Sequence, residues 1–194
     1  MKFFLLLTIW LSVALISHSQ ISEYPGLYIV AKEYSKEIAL YKAKEYVMNE
    51  VIRVETSLIK FEIDPLAAAS SGELTSLVYS CKEKQLGGLI LGFYGDRWNE
   101  SGVIFKAYAF KNLPQSIAVE ILDKIENIIK EQSKYLNADD DVNNIFFKYD
   151  DMTFLIYNDE LSTKIRVFWN GFDSEWESQA FGRTKKRFEK NIKN

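Results

Sequence analysis

Apolar and polar positions follow two different periods along this chain, and each change of period marks a change of element. Between residues 35 and 52, Ile38, Leu40, Tyr41, Val47, Met48, Val51 and Ile52 supply an apolar side, with Lys36, Glu37, Lys44, Glu45 and Glu50 outside it. That spacing predicts a helix lying on a sheet, with Ser35 as its cap. Leu58, Ile59, Phe61 and Ile63 then read as a strand ending at Asp64 and Pro65, and the small, Ser-rich residues 66–72 as a loop. Three more strands are predicted over 74–82, 88–94 and 103–110, separated by Gly87 and Gly88 and by the polar turn 95–102.

The helical period returns at Ile117, Ile121, Leu122, Ile125, Ile128 and Ile129, with Asn112 as a cap and Pro114 in the first turn, and carries to about Leu136. A polar loop over 137–144 precedes three strands at 145–149, 152–157 and 164–169. A last helix is expected from near Ser174, where Ser174 and Glu177 have capping-box spacing, with Ala180, Phe181, Phe188 and Ile192 as its docking side. Strands in runs broken by single helices indicate an α+β fold: an antiparallel sheet of about seven strands in two runs, with three helices packed mainly on one face. Residues 80–136 and 144–193 share a strands-then-helix plan, without a residue-level repeat.

The N-terminus departs from both periods. Lys2 precedes a mainly apolar run over residues 3–16, followed by Ser17, His18, Ser19 and Gln20. This is the charged, apolar and polar order of a secretory signal, and the run is short of the about 20 residues that span a bilayer. Ser17 and Ser19 suit the −3 and −1 positions of a cut before Gln20, so residues 1–19 are expected to be removed and 20–194 to form a single α+β domain, secreted or periplasmic. Taking nineteen from 194 residues leaves 175, enough for an unaided core. Cys81 is the only cysteine, so no intramolecular disulfide forms, and its apolar surroundings predict a buried thiol.

Removal of the signal changes the chemistry available, because His18 is the only histidine. Without it, Ser-His-Asp and Cys-His catalysis and His-ligated zinc or haem are excluded. A formal charge of −3, −4 once Lys2 is gone, argues against general nucleic-acid binding.

Four groups of residues remain as candidates for function. Asp139, Asp141, Asn143 and Asp150 carry the offsets of positions 1, 3, 5 and 12 of a calcium loop, but Asn144 stands where the sharp turn needs Gly and Asp150 where a longer Glu is usual. Calcium is the one cofactor the chain suggests. The turn holding Asp96, Arg97, Trp98 and Asn99 places an indole beside a guanidinium and carboxylates at a loop tip, a composition that dominates interface energetics; Asn99, Glu100 and Ser101 also form a glycosylation sequon. Trp169 and Trp176, with Phe172 between them, could line an apolar or sugar-binding cleft. The last twelve residues hold Arg183, Lys185, Lys186, Arg187, Lys190 and Lys193 against Glu189, a basic helix that could lean on an anionic membrane, although cations are also favoured at helix C-termini.

The expectation that follows is a non-enzymatic binding domain for a protein or surface partner, contacting it through the turn around Trp98. A carrier of a small apolar ligand is the second reading. A hydrolase using the pairs Asp150 and Asp151 or Asp159 and Glu160 is the third, and neighbouring residues on a strand would point to opposite faces.

Overall fold

The computed structural model describes residues 27–29, 36–138, 142–159 and 162–193. Residues 1–19, expected to act as a signal, and Ser35 lie outside them. In chain order the elements are β1 (Leu27–Ile29), α1 (Lys36–Tyr46) continuing as a π-helical stretch (Val47–Ile52), β2 (Glu62–Ala68), β3 (Leu74–Cys81), β4 (Leu86–Trp98) and β5 (Ile104–Pro114). After these come α2 (Gln115–Glu131), a short α3 (Ser133–Leu136), β6 (Asn144–Tyr149), β7 (Met152–Asn158), β8 (Thr163–Trp169), β9 (Phe172–Glu175) and α4 (Ser178–Ile192). The fold is α+β, as the two periods predict.

All nine strands join one antiparallel sheet, ordered β1-β5-β4-β9-β8-β7-β6, with β3 also on β4 and β2 beyond it. The two runs of strands meet at one point. Strand β4 pairs with β3 through its first eight residues and reaches past β3 to touch β9 through the single pair Arg97 and Phe172. The length of β4 therefore joins the two halves, and its far end is where they meet.

Burial follows the pleat, since successive strand residues face opposite sides. Leu89, Leu91 and Phe93 of β4 enter one core with Phe154, Val167 and Phe172, covered by Ala118, Ile121, Leu122 and Ile125 of α2 and by Ala180, Phe181 and Phe188 of α4. Each of the Val, Leu, Ile and Phe side chains among them contributes about 1.5–3 kcal/mol on full burial. Ile90 and Tyr94 face the other way, into a second core with Tyr108, Phe110 and the α1 residues Ala43 and Tyr46. Two long helices thus share one face, and α1 covers part of the other. The core under α1 draws no described residue from β6–β9, where Phe146 stands exposed.

Several boundaries differ from the expectation for physical reasons. Strand β2 runs through Pro65 to Ala68, because its outer edge needs no ladder donor; a register shift between Pro65 and Ala67 turns Leu66 into the core. Gly87 and Gly88 sit inside β4 and do not separate strands. A β-carbon on Gly88 would stand 2.3 Å from the carbonyl oxygen of Leu113, so glycine there permits a close approach of two strands. Asn112 lies within β5 opposite Ile90, and Pro114 ends the strand before α2. Ser174 is buried in β9, so α4 begins four residues later, at Ser178. Tyr41, expected on the docking side of α1, is exposed.

Candidate functional site

The meeting point of the two halves is built from three hairpin turns. The β4–β5 turn is closed by Asn99, whose Oδ1 accepts from the backbone N–H groups of Ser101 at 3.0 Å and Val103 at 2.9 Å. Side-chain capping of this kind is what Asn does in turns. Between β8 and β9 the turn is Asn170 and Gly171, both at positive φ, 49° and 78°, which is the two-residue type I′ geometry that Asn-Gly favours. Between β6 and β7 it is Asp150 and Asp151, with Asp150 at φ 53°.

Hydrogen bonds clamp the first two turns together. The backbone N–H of Trp98 donates to Gly171 O at 2.9 Å. Arg97 donates from Nε to Asn170 O at 2.6 Å and from Nη2 to Asn170 Oδ1 at 2.7 Å, while its guanidinium lies 5.4 Å from the ring centroid of Phe105. The third turn is held from β5 and β8. Lys111 Nζ reaches Asp151 Oδ1 at 2.6 Å and Asp150 Oδ2 at 3.3 Å, and the indole Nε1–H of Trp169 donates to Asp151 Oδ2 at 2.8 Å. Burial works against the charged form of Asp151, but the bonds from Lys111 and Trp169 outweigh it and hold the carboxyl below the usual carboxylate range.

An open cleft of about 400 Å³ lies between these turns, lined by Trp98, Asp151, Phe168, Trp169, Asn170 and Asp173 together with Gly171 and Phe172. Trp98 is its prominent wall, with about half of the side chain exposed (52 %), and Val103 and Ile104 stand exposed on the same hairpin. Asp173 accepts from Arg166 Nε at 2.7 Å and remains partly exposed. Asn170 Nδ2 is shielded from solvent and has no hydrogen-bond acceptor, although its Oδ1 is taken by Arg97. A second open cleft, about 680 Å³, lies at the start of α2 beside Tyr79, Asn112 and Gln115; Tyr79 donates its hydroxyl to Asn112 Oδ1 at 2.9 Å.

Two candidate groups that are far apart in sequence, around Trp98 and around Trp169, therefore share one cleft. Asp96 is ion-paired with Lys106 at 2.9 Å, and Asp96, Arg97 and Trp98 lie on strand β4, so the loop itself starts at Asn99. Trp176 is placed elsewhere: it is 2 % exposed and meets Phe181 edge-to-face at 5.3 Å, anchoring α4. The strand β9 and its Asn170–Gly171 turn were not expected, although Asn-Gly between Trp169 and Phe172 is a strong hairpin signal.

The calcium pattern does not converge as drawn. Asp139 and Asp141 lie outside the described residues. Asn143 and Asp150 flank the extended strand β6, about 20 Å apart at the rise of a strand, whereas one calcium ion draws its oxygens to ~2.3–2.6 Å. Asn143 Nδ2 donates instead to Tyr135 O at 2.8 Å. Among the described residues no group of three His, Cys, Asp or Glu side chains could hold a metal. Asp150 and Asp151 share Lys111 because they occupy a turn, where the alternation of a strand does not apply. Cys81 is buried and free.

In the basic last helix, Lys185 turns inward to Asp123, Glu126 and Glu189, and Arg187 donates to Leu66 O. No described helix is long and apolar enough to cross a membrane. No protein-family model, no curated protein and no solved structure matches this chain.

Proposed function

We propose that this chain is an exported, non-enzymatic binding domain that recognises a protein or surface partner through the cleft beside Trp98. One observation carries the reading: a half-exposed indole stands on a rigid scaffold, clamped from behind by the Arg97 and Gly171 bonds and flanked by exposed Val103 and Ile104. Exposed apolar side chains that adjoin one another mark contact sites, and Trp loses little conformational entropy when it is buried by a partner. Support for export comes from the signal-like order of residues 1–20. An apolar ligand would also have to use an open cleft, because the space between the sheet and α2 and α4 is filled by Phe93, Phe154, Phe172 and Phe188.

The test uses residues 20–194, immobilised and exposed to the envelope and medium fractions of the producing cell. Binding is expected to fall at least about tenfold in Trp98→Ala, with an unchanged circular dichroism spectrum, since an exposed side chain costs little stability when truncated. Equal binding by the variant overturns the site. N-terminal sequencing of the exported protein is expected to begin at Gln20.

A further inference from the structure

We propose that the outer edge of β6 is a self-association surface, at which a second copy of this chain adds its own β6 antiparallel to the first. Phe146 then meets Phe146 of the second copy across a two-fold axis. The contact is separate from the cleft beside Trp98 and goes beyond the binding reading above.

Among the described residues the sheet ends in three strands, β1, β2 and β6. An end strand presents unpaired N–H and C=O groups that invite another strand, and proteins blunt such edges with short strands, proline or bulges. Strand β1 is three residues long, and β2 carries Pro65 and the register shift that follows it. Strand β6 has neither guard: its six residues pair with β7 without a shift. Phe146, at its middle, is 70 % exposed. Helix α2 reaches the core side of β6 with the ends of long side chains, Glu120 accepting from the Tyr149 hydroxyl at 3.0 Å and Lys124 lying 4.7 Å from the Phe147 ring centroid. The outer edge itself stays open.

The pairing with β7 fixes which groups this edge offers. Asp150 and Asp151 form a two-residue turn, so Tyr149 and Met152 are a hydrogen-bonded pair, and such pairs alternate along an antiparallel ladder. Tyr149, Phe147 and Ile145 therefore bond to β7, whereas Asn144, Phe146 and Lys148 turn their N–H and C=O outward. With Phe146 on the two-fold axis, Asn144 stands opposite Lys148 of the second copy, and all three outward residues gain both backbone bonds. Registers shifted either way leave one of them beyond the end of the strand, and the shift that opposes Lys148 to its own copy sets like charges together. Lys148 is the only charge on β6, and in the Phe146 register it faces an amide. Phe146 lies beside Leu155 of β7, so the four side chains make one apolar row across the junction, while Ile145 meets Phe147 on the core side. This self-complementarity, the same patch serving on both sides, is what a two-fold dimer requires and selects a second copy as the occupant. The contact is small beside the about 1,000 Å² of a stable interface, so the dimer is expected to be weak and concentration-dependent.

Sedimentation equilibrium of residues 20–194 is expected to show a reversible monomer and dimer. Phe146→Lys sets two like charges on the axis at an exposed position and is expected to weaken association at least about tenfold, with an unchanged circular dichroism spectrum. Trp98→Ala, an equally exposed apolar truncation elsewhere, is expected to associate as wild type; an equal loss there overturns the edge as the contact. Cysteine trapping reads the register, because Cys81 is buried and hydrogen-bonded pairs hold their Cα atoms about 5.5 Å apart, within disulfide reach. Phe146→Cys is expected to cross-link to itself, and Asn144→Cys to cross-link to Lys148→Cys when the two are mixed but not alone. Cross-linking of Asn144→Cys or Lys148→Cys alone at the rate of Phe146→Cys overturns the register. A chain that stays monomeric up to about 1 mM overturns the dimer. If the amides of Phe146 and Lys148 are nevertheless protected from exchange in that monomer, another part of this chain covers the edge, and the second copy is replaced as its occupant.

Discussion

Gly171 approaches Trp98 so closely that a β-carbon on the glycine would stand 2.2 Å from the Trp98 carbonyl oxygen. The same two residues are joined by the 2.9 Å hydrogen bond from Trp98 N–H to Gly171 O, and Gly171 holds φ at 78°. Two independent constraints, backbone hand and backbone proximity, therefore require glycine at the point where the halves of the sheet meet. Gly171→Ala is expected to destabilise the protein by about 2–4 kcal/mol, combining strain with a displaced strand. Urea unfolding checks this, and Trp98 emission should shift as the hairpins separate. Gly102 is the control. It also has positive φ, 76°, but no atom lies within 4 Å of a β-carbon there, so Gly102→Ala is expected to cost only about 1 kcal/mol.

A pH signature follows from Asp151. Its carboxyl is held below the usual range by Lys111 and Trp169, against the opposing effect of burial. A carboxylate whose folded pKa is depressed contributes stability above its unfolded value, near 4, and that contribution is lost as pH falls through the folded value. Asp151→Asn is therefore expected to lower the melting temperature at pH 7 and to leave it close to wild type at about pH 2.5. Melting curves between those limits test it; an equal deficit at both ends would mean that the loss is one of packing and not of charge.

Much of this architecture was legible in the chain. The 3.6-residue period over 117–129 places the buried face of α2, with Ala118 added, and the alternation over 152–157 and 164–169 reproduces β7 and β8 almost residue for residue. What the local pattern misread depends on neighbours it does not contain. Gly88 looks like a turn until Leu113 is set beside it, and Pro65 looks like a strand end until β2 proves to be an edge. The candidate cleft was visible only in pieces. Trp98 and Trp169 are singled out by residue type, but their meeting requires β4 to outrun β3 and reach β9, a length that pairing sets and periodicity does not. Asn170 reads only as a turn residue until Arg97, 73 residues away, is set beside it and bonds its carbonyl and its Oδ1.

Between α2 and α4, Lys185 is buried amid acidic side chains. Burial alone would lower its pKa, but hydrogen bonds to Asp123 and Glu189 outweigh that and raise it. For a lysine with a raised folded pKa, the stabilising contribution is complete below the unfolded value, near 10.4, and is lost as pH rises through the folded one. Lys185→Met keeps the apolar stem and removes the charge. It is expected to cost about 1–2 kcal/mol at pH 7, because the three carboxylates it leaves are partly solvated. Chemical denaturation at pH 7 measures the loss.

The remaining basic residues of α4 separate into structural and solvated roles. The register shift in β2 pushes Leu66 into the core, where its side chain is 1 % exposed, and takes its carbonyl out of the regular ladder; Arg187 Nη1 donates to that oxygen. A bulge that loses its acceptor's partner should relax, and with it the docking of α4 on β2. Arg187→Met is expected to destabilise the protein by about 1–2 kcal/mol, and amide exchange should accelerate at Ala67 and Ser76, the pair beside the shift. Lys186 and Lys190 are exposed on the same helix, and their replacement by Gln should stay within about 0.5 kcal/mol of wild type. If Lys190→Gln proves as costly as Arg187→Met, the loss reflects the overall charge of the helix, and the carbonyl of Leu66 has no special claim on Arg187.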